Sequence, residues 1–180
     1  MRRNRSFFEQ PTVTVARQLL GDVLHVNGRL VQISETEAYV GTEDRANHAS
    51  RGRTKRTEPL FGPAGVTYAY LVYGMHWCLN IVTEEVNFPA AVLIRAVIPI
   101  DPKDDPKRTN GPGKLSRWLG IDGSFNSIDS ATSSNVWVET EPNKPELIIR
   151  TGPRIGVAYA GDWAKKPWRF WIKGNPYVSK

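Results

Sequence analysis

The sequence predicts a single mixed α+β domain, on three observations. Asn27-Gly28 lies between two β-patterned runs, DVLHV and RLVQIS, and this dipeptide in that setting is the strongest short-range signal for a hairpin. Residues 90–100, AAVLIRAVIPI, are nearly continuous apolar and β-rich, the pattern of a central strand. The helical patterns are short, stopped by glycine, and do not alternate with strands in a βαβ rhythm. With 180 residues, 40% of them hydrophobic, one domain can bury a core of its own. No repeat, low-complexity tract or linker divides it.

The elements follow in order. The basic start, MRRNRS, predicts a loosely ordered segment over 1–6. TVTVARQLL (12–20) reads as a short helix capped by Thr12 or Thr14 and stopped at Gly21. The second hairpin strand then carries Glu35, Glu37 and Tyr39. Strand alternation places Val31, Ile33, Glu35, Glu37 and Tyr39 on one side, which begins as a core face. Gly41 breaks the strand, and Thr42 can cap a short turn running to His48. Basic residues without apolar periodicity make 51–63 an exposed loop, with Arg51, Arg53 and Lys55 as candidate phosphate contacts.

VTYAYLVYGMHWCLNIV (66–82) is the most aromatic segment. Tyr68 and Tyr70 share one strand face, Tyr73 falls on the other, and Gly74 permits a bend that pushes Tyr73 and Met75 outward. Arg95 interrupts the apolar run at 90–100. It cannot lose its charge, so it either forms a structural salt bridge or faces the same pocket as Glu37. Residues 101–109 are a charged, proline-broken connection. Pro112 and Gly113 open a helix that Gly120 closes, and its glycine-rich start beside Lys114 is a weak phosphate signal. Residues 122–135 read as loop. VWVET and ELIIR flank PNKP as a hairpin, and RIGVAYAG (154–161) reads as a strand. The tail interleaves Trp163, Trp168 and Trp171 with Lys165, Lys166 and Arg169.

Charge and composition narrow the chemistry. Lys and Arg outnumber Asp and Glu by 24 to 18, a net charge of +6 that favours an anionic partner. Cys78 is the single cysteine, so no internal disulfide forms and a reducing compartment fits. The N-terminus lacks the apolar run of a secretory signal, and no stretch approaches a membrane span. His25, His48 and His76 are far apart and without ligand spacing, so no metal is expected. Cys78 lies in an apolar strand as a small core residue, and neither a GxSxG elbow nor a dinucleotide fingerprint occurs. A carboxylate acting on water remains, with Glu37 as general base if a cation or donor holds the water.

ETEAY (35–39) with the trailing His48, YAYLVYGMHWCLNI (68–81), LIRAVIP (93–99), NGPGKL (110–115) and RIGVAYAGDWAKKPWRFWIKGNPYVS (154–179) together resemble the alkyladenine (3-methyladenine, methylpurine) DNA glycosylase family, from Phe7 to Ser179 and in the same order. The resemblance implies a curved, mainly antiparallel sheet bordered by short helices; a monomer is the default, and no cofactor is expected. It also implies duplex DNA with damaged purines as partner, in a cytoplasmic (nucleoid-associated) or nuclear setting. The damaged nucleotide is flipped out and its glycosidic bond hydrolysed. By resemblance Glu37 is the general base, and Arg95 with the Ile155 carbonyl holds the water. Tyr39 and His48 form one wall for the base and Tyr70 the other, with Asn80 and Leu93 in the pocket. Tyr73 is the wedge with Met75 beside it, and Glu35 is structural. Arg51, Arg53, Lys55, Lys114, Lys165, Lys166 and Arg169 would face phosphates. The chain departs from the family in a shorter 101–109 connection and in His76, where relatives carry an aromatic residue. A lyase using Lys114 and a non-catalytic DNA-damage binding module are the competing readings.

Overall fold

The computed structural model describes residues 1–100, 105–141, 144 and 146–179. Its helices are α1 (Arg5–Phe8), α2 (Thr12–Gln18) and α3 (Pro112–Leu119), and its strands β1 (Val23–Val26), β2 (Arg29–Val40), β3 (Thr67–Val72), β4 (His76–Val82), β5 (Ala90–Pro99), β6 (Val136–Glu139), β7 (Ile149–Gly152) and β8 (Arg169–Ile172). All strand pairs are antiparallel. The sheet runs β3-β4-β5-β2-β1-β6, with β8 also beside β2 and β7 beside β8, and it curls as a half-barrel. The α+β expectation therefore holds, and no helix among the described residues is long and apolar enough to cross a membrane.

Local signals set the two hairpins. Asn27 and Gly28 take φ of +50° and +72°, the left-handed pair of a type I′ turn that matches the twist of β1 and β2. The same device joins β3 to β4: Tyr73 and Gly74 have φ of +50° and +68°, and the Met75 N–H closes on the Val72 carbonyl. Glycine adopts this conformation freely, whereas a tyrosine gives up roughly 1–2 kcal/mol to hold it. Tyr73 is 89% and Met75 68% exposed, so the bend does turn both outward.

One irregularity re-aims the central strand. β1 pairs with β2 along Arg29–Gln32, β8 pairs along Glu35–Glu37, and the register with β5 shifts between Ile33, Glu35 and Thr36. An uninterrupted strand would put Ile33 and Ala38 on opposite faces, yet both belong to the main apolar core, together with Val92, Ile94 and Val97 of β5. The expectation that Val31, Ile33, Glu35, Glu37 and Tyr39 share one face is thus corrected. The bulge rotates the strand so that Thr36 turns to α2, donating its hydroxyl to the Ala16 carbonyl, while Glu37 and Tyr39 turn away from the main core.

Helix ends and loops supply further corrections. Pro11, not a threonine, occupies the N-cap of α2, and the Glu84 carboxylate accepts from both the Thr12 amide and its hydroxyl, which gives the helix start an anion from another loop. α3 starts at Pro112 and ends at left-handed Gly120, as its sequence demands. β6 and β7 are not a hairpin: β6 pairs with β1 and β7 with β8. Of the turn expected between them, Pro142, Asn143 and Pro145 lie outside the described residues, as does 101–104 of the charged connection. RIGVAYAG is not a strand, because Gly156 and Gly161 take left-handed φ and the chain coils into a 3₁₀ segment, Ala158–Lys165. The N-terminus is pinned rather than loose: Arg2 donates to the Ser130 carbonyl at 2.6 and 3.1 Å, Arg3 pairs with Asp22 at 2.9 Å, and Arg5 pairs with Asp129 at 2.6 Å.

Gly113 shows how closely α3 packs on β4. A Cβ there would stand 2.9 Å from the His76 Cβ, inside contact distance. An alanine in an open helix gains up to about 1 kcal/mol over glycine. Here Gly113→Ala is expected to destabilise the fold instead, by about 1–3 kcal/mol of overpacking, measurable as a lower denaturant midpoint.

Candidate active site

The sheet registers assemble the site. Tyr68 faces Asn80 across β3 and β4, Asn80 faces Leu93 across β4 and β5, Leu93 faces Glu37 across β5 and β2, and Glu37 faces Arg169 across β2 and β8. Directly opposed residues in antiparallel strands project from the same face, so these five form one row on one face of the sheet. Above that row opens a cavity of about 570 Å³, in the size range of small-molecule sites, lined by Tyr39, His48, Tyr70, Tyr73, Asn80, Leu93, Arg95 and Ile155 among others. The six residues expected at the base pocket, Tyr39, His48, Tyr70, Asn80, Leu93 and Ile155, are therefore together, with Arg95 and the expected wedge Tyr73 beside them. Met75 stands at the same turn as Tyr73 but outside the cavity lining.

Glu37 lies fully buried beneath this wall. Its Oε2 accepts the Tyr39 hydroxyl at 2.7 Å and Arg95 Nη1 at 3.3 Å, and its Oε1 accepts the Ile155 amide at 2.7 Å. Ile155 thus engages this site through its N–H, in addition to the role expected of its carbonyl. Glu35, equally buried, accepts Arg95 Nε at 3.1 Å, the Ser179 amide at 2.7 Å and the Ser179 hydroxyl at 2.7 Å. Arg95 is thus both things the sequence left open, a salt bridge and a pocket residue. Its two carboxylate neighbours raise its pKa against the opposing effect of burial, so it stays charged.

The aromatic walls are arranged otherwise than expected. The His48 ring stands edge-on to Tyr70 at 4.3 Å between centroids, and its Nδ1 lies 3.0 Å from the Tyr68 hydroxyl. Tyr39 packs instead with Ala46, Val157 and Trp163, under the Arg154 guanidinium 4.7 Å away. His48 therefore belongs with Tyr70, because the Asn47 side chain caps the 3₁₀ turn His48–Arg51 and bonds the Gly41 and Pro89 carbonyls at 2.9 Å, which swings the turn toward β3. Burial, and secondarily the Arg56 charge, push the His48 pKa down to about 4. Burial likewise raises Tyr39, next to the Glu37 charge, and Tyr70, beside Cys78, so both phenols stay protonated. The Cys78 thiol, pushed up to about 11 by burial, is no nucleophile at neutral pH.

Two buried charges were not legible as site residues. Arg154 binds both Asp44 oxygens, at 2.5 and 2.8 Å, and donates to the Ala38 and Trp163 carbonyls, with both partners of the pair out of solvent. Asp44 also accepts the Val40 and Ala46 amides, so this pair ties the turn before His48 to the segment that presents Ile155. Arg56, on the cavity rim, lies 5.7 Å over the Tyr70 ring and donates to the Leu71 carbonyl at 3.3 Å. Arg and Asp in polar runs read as solvated, and only tertiary contact shows otherwise.

The basic candidates divide. Arg53 is held by Glu58 at 2.6 Å and by Asn87, and Arg169 turns inward, 3.5 Å from Glu35 and over Trp171, so neither offers a free cation to phosphate. Arg51 and Lys55 lie on the exposed loop beside the cavity rim. Lys114 bonds Asn110 at 2.9 Å in a neighbouring cleft. Lys165 pairs with fully accessible Asp162, and Lys166 lies over Trp163 and Trp168. Among the described residues no group of His, Cys, Asp and Glu could hold a metal ion.

Arg154→Met should cost about 3–5 kcal/mol in denaturant unfolding, because it leaves Asp44 buried and unpaired. His48 sets a pH signature. The unfolded chain protonates it near 6.5 and the fold only near 4, so its contribution is fully present above 6.5 and drains away as pH falls toward 4. His48→Gln should flatten that loss in a melting-temperature profile taken across this window.

Comparison of the sequence with known proteins identifies the family. Residues 6–176 match the family described as methylpurine-DNA glycosylase. A Legionella pneumophila protein is 49% identical over 181 residues, covering 98% of this chain and 97% of its own. A Myxococcus xanthus protein is 46% identical, with 97% and 92% covered, and one from Methanocella arvoryzae 44%, with 98% and 94%. Each is provisionally named a 3-methyladenine DNA glycosylase. With a fully assembled cavity over a buried carboxylate and a match spanning nearly its whole length, the chain belongs to the methylpurine-DNA glycosylase family, hydrolases of N-glycosyl bonds in DNA.

Proposed function

We propose that the protein is a monofunctional glycosylase acting as a monomer on duplex DNA, releasing alkylated or deaminated purines with water as nucleophile and Glu37 as general base. The observation that carries this reading is the set of donors on Glu37. An ionised carboxylate offers about four acceptor positions. The Tyr39 hydroxyl, Arg95 and the Ile155 amide take three of them and fix its orientation. That leaves one position on Oε1, which a water held between Arg95 and Ile155 at the cavity wall would take. Glu37 would take that water's proton as it attacks the anomeric carbon, and Arg95 would balance the charge in a desolvated setting.

The same geometry supports extrusion of a base. Flipping costs a few kcal/mol of unstacking, least for a damaged or mispaired base. Tyr73, held outward on its rigid turn, has the exposure to fill the space left in the duplex. Tyr39, Tyr70 and His48 offer π-faces to an extruded purine, and a neutral His48 adds no repulsion against a cationic one. Exposed Arg51, Lys55 and Lys166 would take phosphates, giving affinity without sequence readout. The lyase reading has no comparable support, because Lys114 lies outside the cavity lining.

Glu37→Gln should lower single-turnover release of hypoxanthine or 3-methyladenine from duplex DNA by about 10²–10⁴-fold, the range of general base catalysis, while damaged-duplex binding persists. Turnover at the wild-type rate in that variant would sink the mechanism. Lys166→Ala should weaken binding to all duplexes alike and reduce the slope of log K against log salt by about 1. A change confined to one flanking sequence would count against a phosphate contact.

A further inference from the structure

Outside the cavity lining, the Glu35 carboxylate is held by three hydrogen bonds. It is fully buried on the same strand as Glu37, and the two share one guanidinium. The distances divide that guanidinium in a definite way. Nε reaches Glu35 Oε1 at 3.1 Å and Nη1 reaches Glu37 Oε2 at 3.3 Å, while Nη2 reaches the Ser179 hydroxyl oxygen at 3.4 Å. That hydroxyl donates in turn to Glu35 Oε1 at 2.7 Å, and the Ser179 amide donates to Glu35 Oε2 at 2.7 Å. Ser179 therefore closes a ring of hydrogen bonds with Glu35 and Arg95, and all three side chains are buried.

This ring has a consequence for the other carboxylate. Two buried anions compete for one cation, and an under-satisfied buried carboxylate draws any cation within reach. Arg169 is a poor alternative: its Nε stays 3.5 Å from Glu35 without hydrogen-bond geometry, and its guanidinium rests on Trp171. The two short donors from Ser179 supply what Glu35 would otherwise take from Arg95. Without the hydroxyl, the Arg95 fork would close on Glu35 and withdraw Nη1 from Glu37.

We infer that Ser179 is a positioning residue for the hydrolytic step, holding Glu35 satisfied so that Arg95 stays oriented on Glu37. This rests on the reading of Glu37 as general base. Ser179 touches neither the cavity nor any DNA-facing surface named above, so its effect runs through Glu35 and Arg95 alone. A misplacement of the order of 1 Å at a catalytic group is worth up to about 10²-fold in rate.

The test uses the full chain with Ser179→Ala and Ser179→Thr. Single-turnover release of hypoxanthine is measured alongside affinity for a duplex holding an abasic analogue, melting temperature, and NMR exchange protection of the Arg95 guanidinium protons. Ser179→Ala should slow release about 10-fold or more, leave affinity within about two-fold, and lower the Arg95 protection. Ser179→Thr, which keeps the hydroxyl, should restore most of both. Unchanged Arg95 protection in Ser179→Ala overturns the inference whatever the activity, as does a rate loss that Ser179→Thr fails to restore. If the wild-type protein releases no base while Arg95 protection still depends on the Ser179 hydroxyl, the hydrolytic reading of the cavity fails and the positioning of Arg95 by Ser179 stands.

Discussion

Two carboxylates and one guanidinium, all out of solvent, set the terms for the cavity side of this sheet. Burying an ion costs several kcal/mol even after relaxation, and mutual attraction offsets that only where hydrogen bonds satisfy the remaining lone pairs. Every neighbour of the trio meets that condition. Tyr39 and Ile155 bond Glu37, Ser179 bonds Glu35 twice, and Arg95 spans the two. Such a cluster contributes little to stability compared with a well-packed apolar replacement. Its place under a cavity suits the proposed chemistry, in which a fixed carboxylate and a fixed cation would be available without reorganisation.

The irregularity in β2 is what makes that cluster possible. The strand begins with Val31 and Ile33 in the main core and must present Glu37 on the other side four residues later. An unbroken strand cannot do so, because residues four apart share a face. The shift around Ser34 and Glu35 solves the problem at the point where β1 gives way to β8 as neighbour, so the ladder is interrupted where it changes partner in any case. A second buried pair, Arg154 with Asp44, performs the corresponding task for the loops, binding the turn before His48 to the segment carrying Ile155.

What could be read from the sequence follows the range of the interactions involved. The Asn27-Gly28 hairpin, the outward bend at Tyr73 and Gly74, and the limits of α3 all depend on residues adjacent in the chain, and all form as their local chemistry demands. The partners of β6 and β7, the cap of α2 by Glu84 and the burial of Arg154 depend on residues that lie from 17 positions away, Gly152 with Arg169, to 116, Val23 with Glu139, on which local pattern is silent. The site itself was legible in composition more than in arrangement. Tyr39, His48, Tyr70, Asn80, Leu93, Arg95 and Ile155 do converge, but the side on which His48 stands was misassigned, because that depends on the cap supplied by Asn47 and not on strand parity.

The division of roles between Glu35 and Glu37 shows the same limit from the other direction. By pattern they are equivalent, two residues apart on one strand and each beside Arg95. Their surroundings separate them. Glu35 is enclosed by Arg95 and by both donors of Ser179, with no cavity residue other than Arg95 against it. Glu37 is held by Tyr39, Arg95 and Ile155, and all three line the cavity. A general base must lie within reach of a water that can also reach substrate. The partners of Glu37 all reach the cavity while those of Glu35, apart from Arg95, do not. That is why the proposed base is the second carboxylate, and the first is read as deciding how much of Arg95 the second keeps.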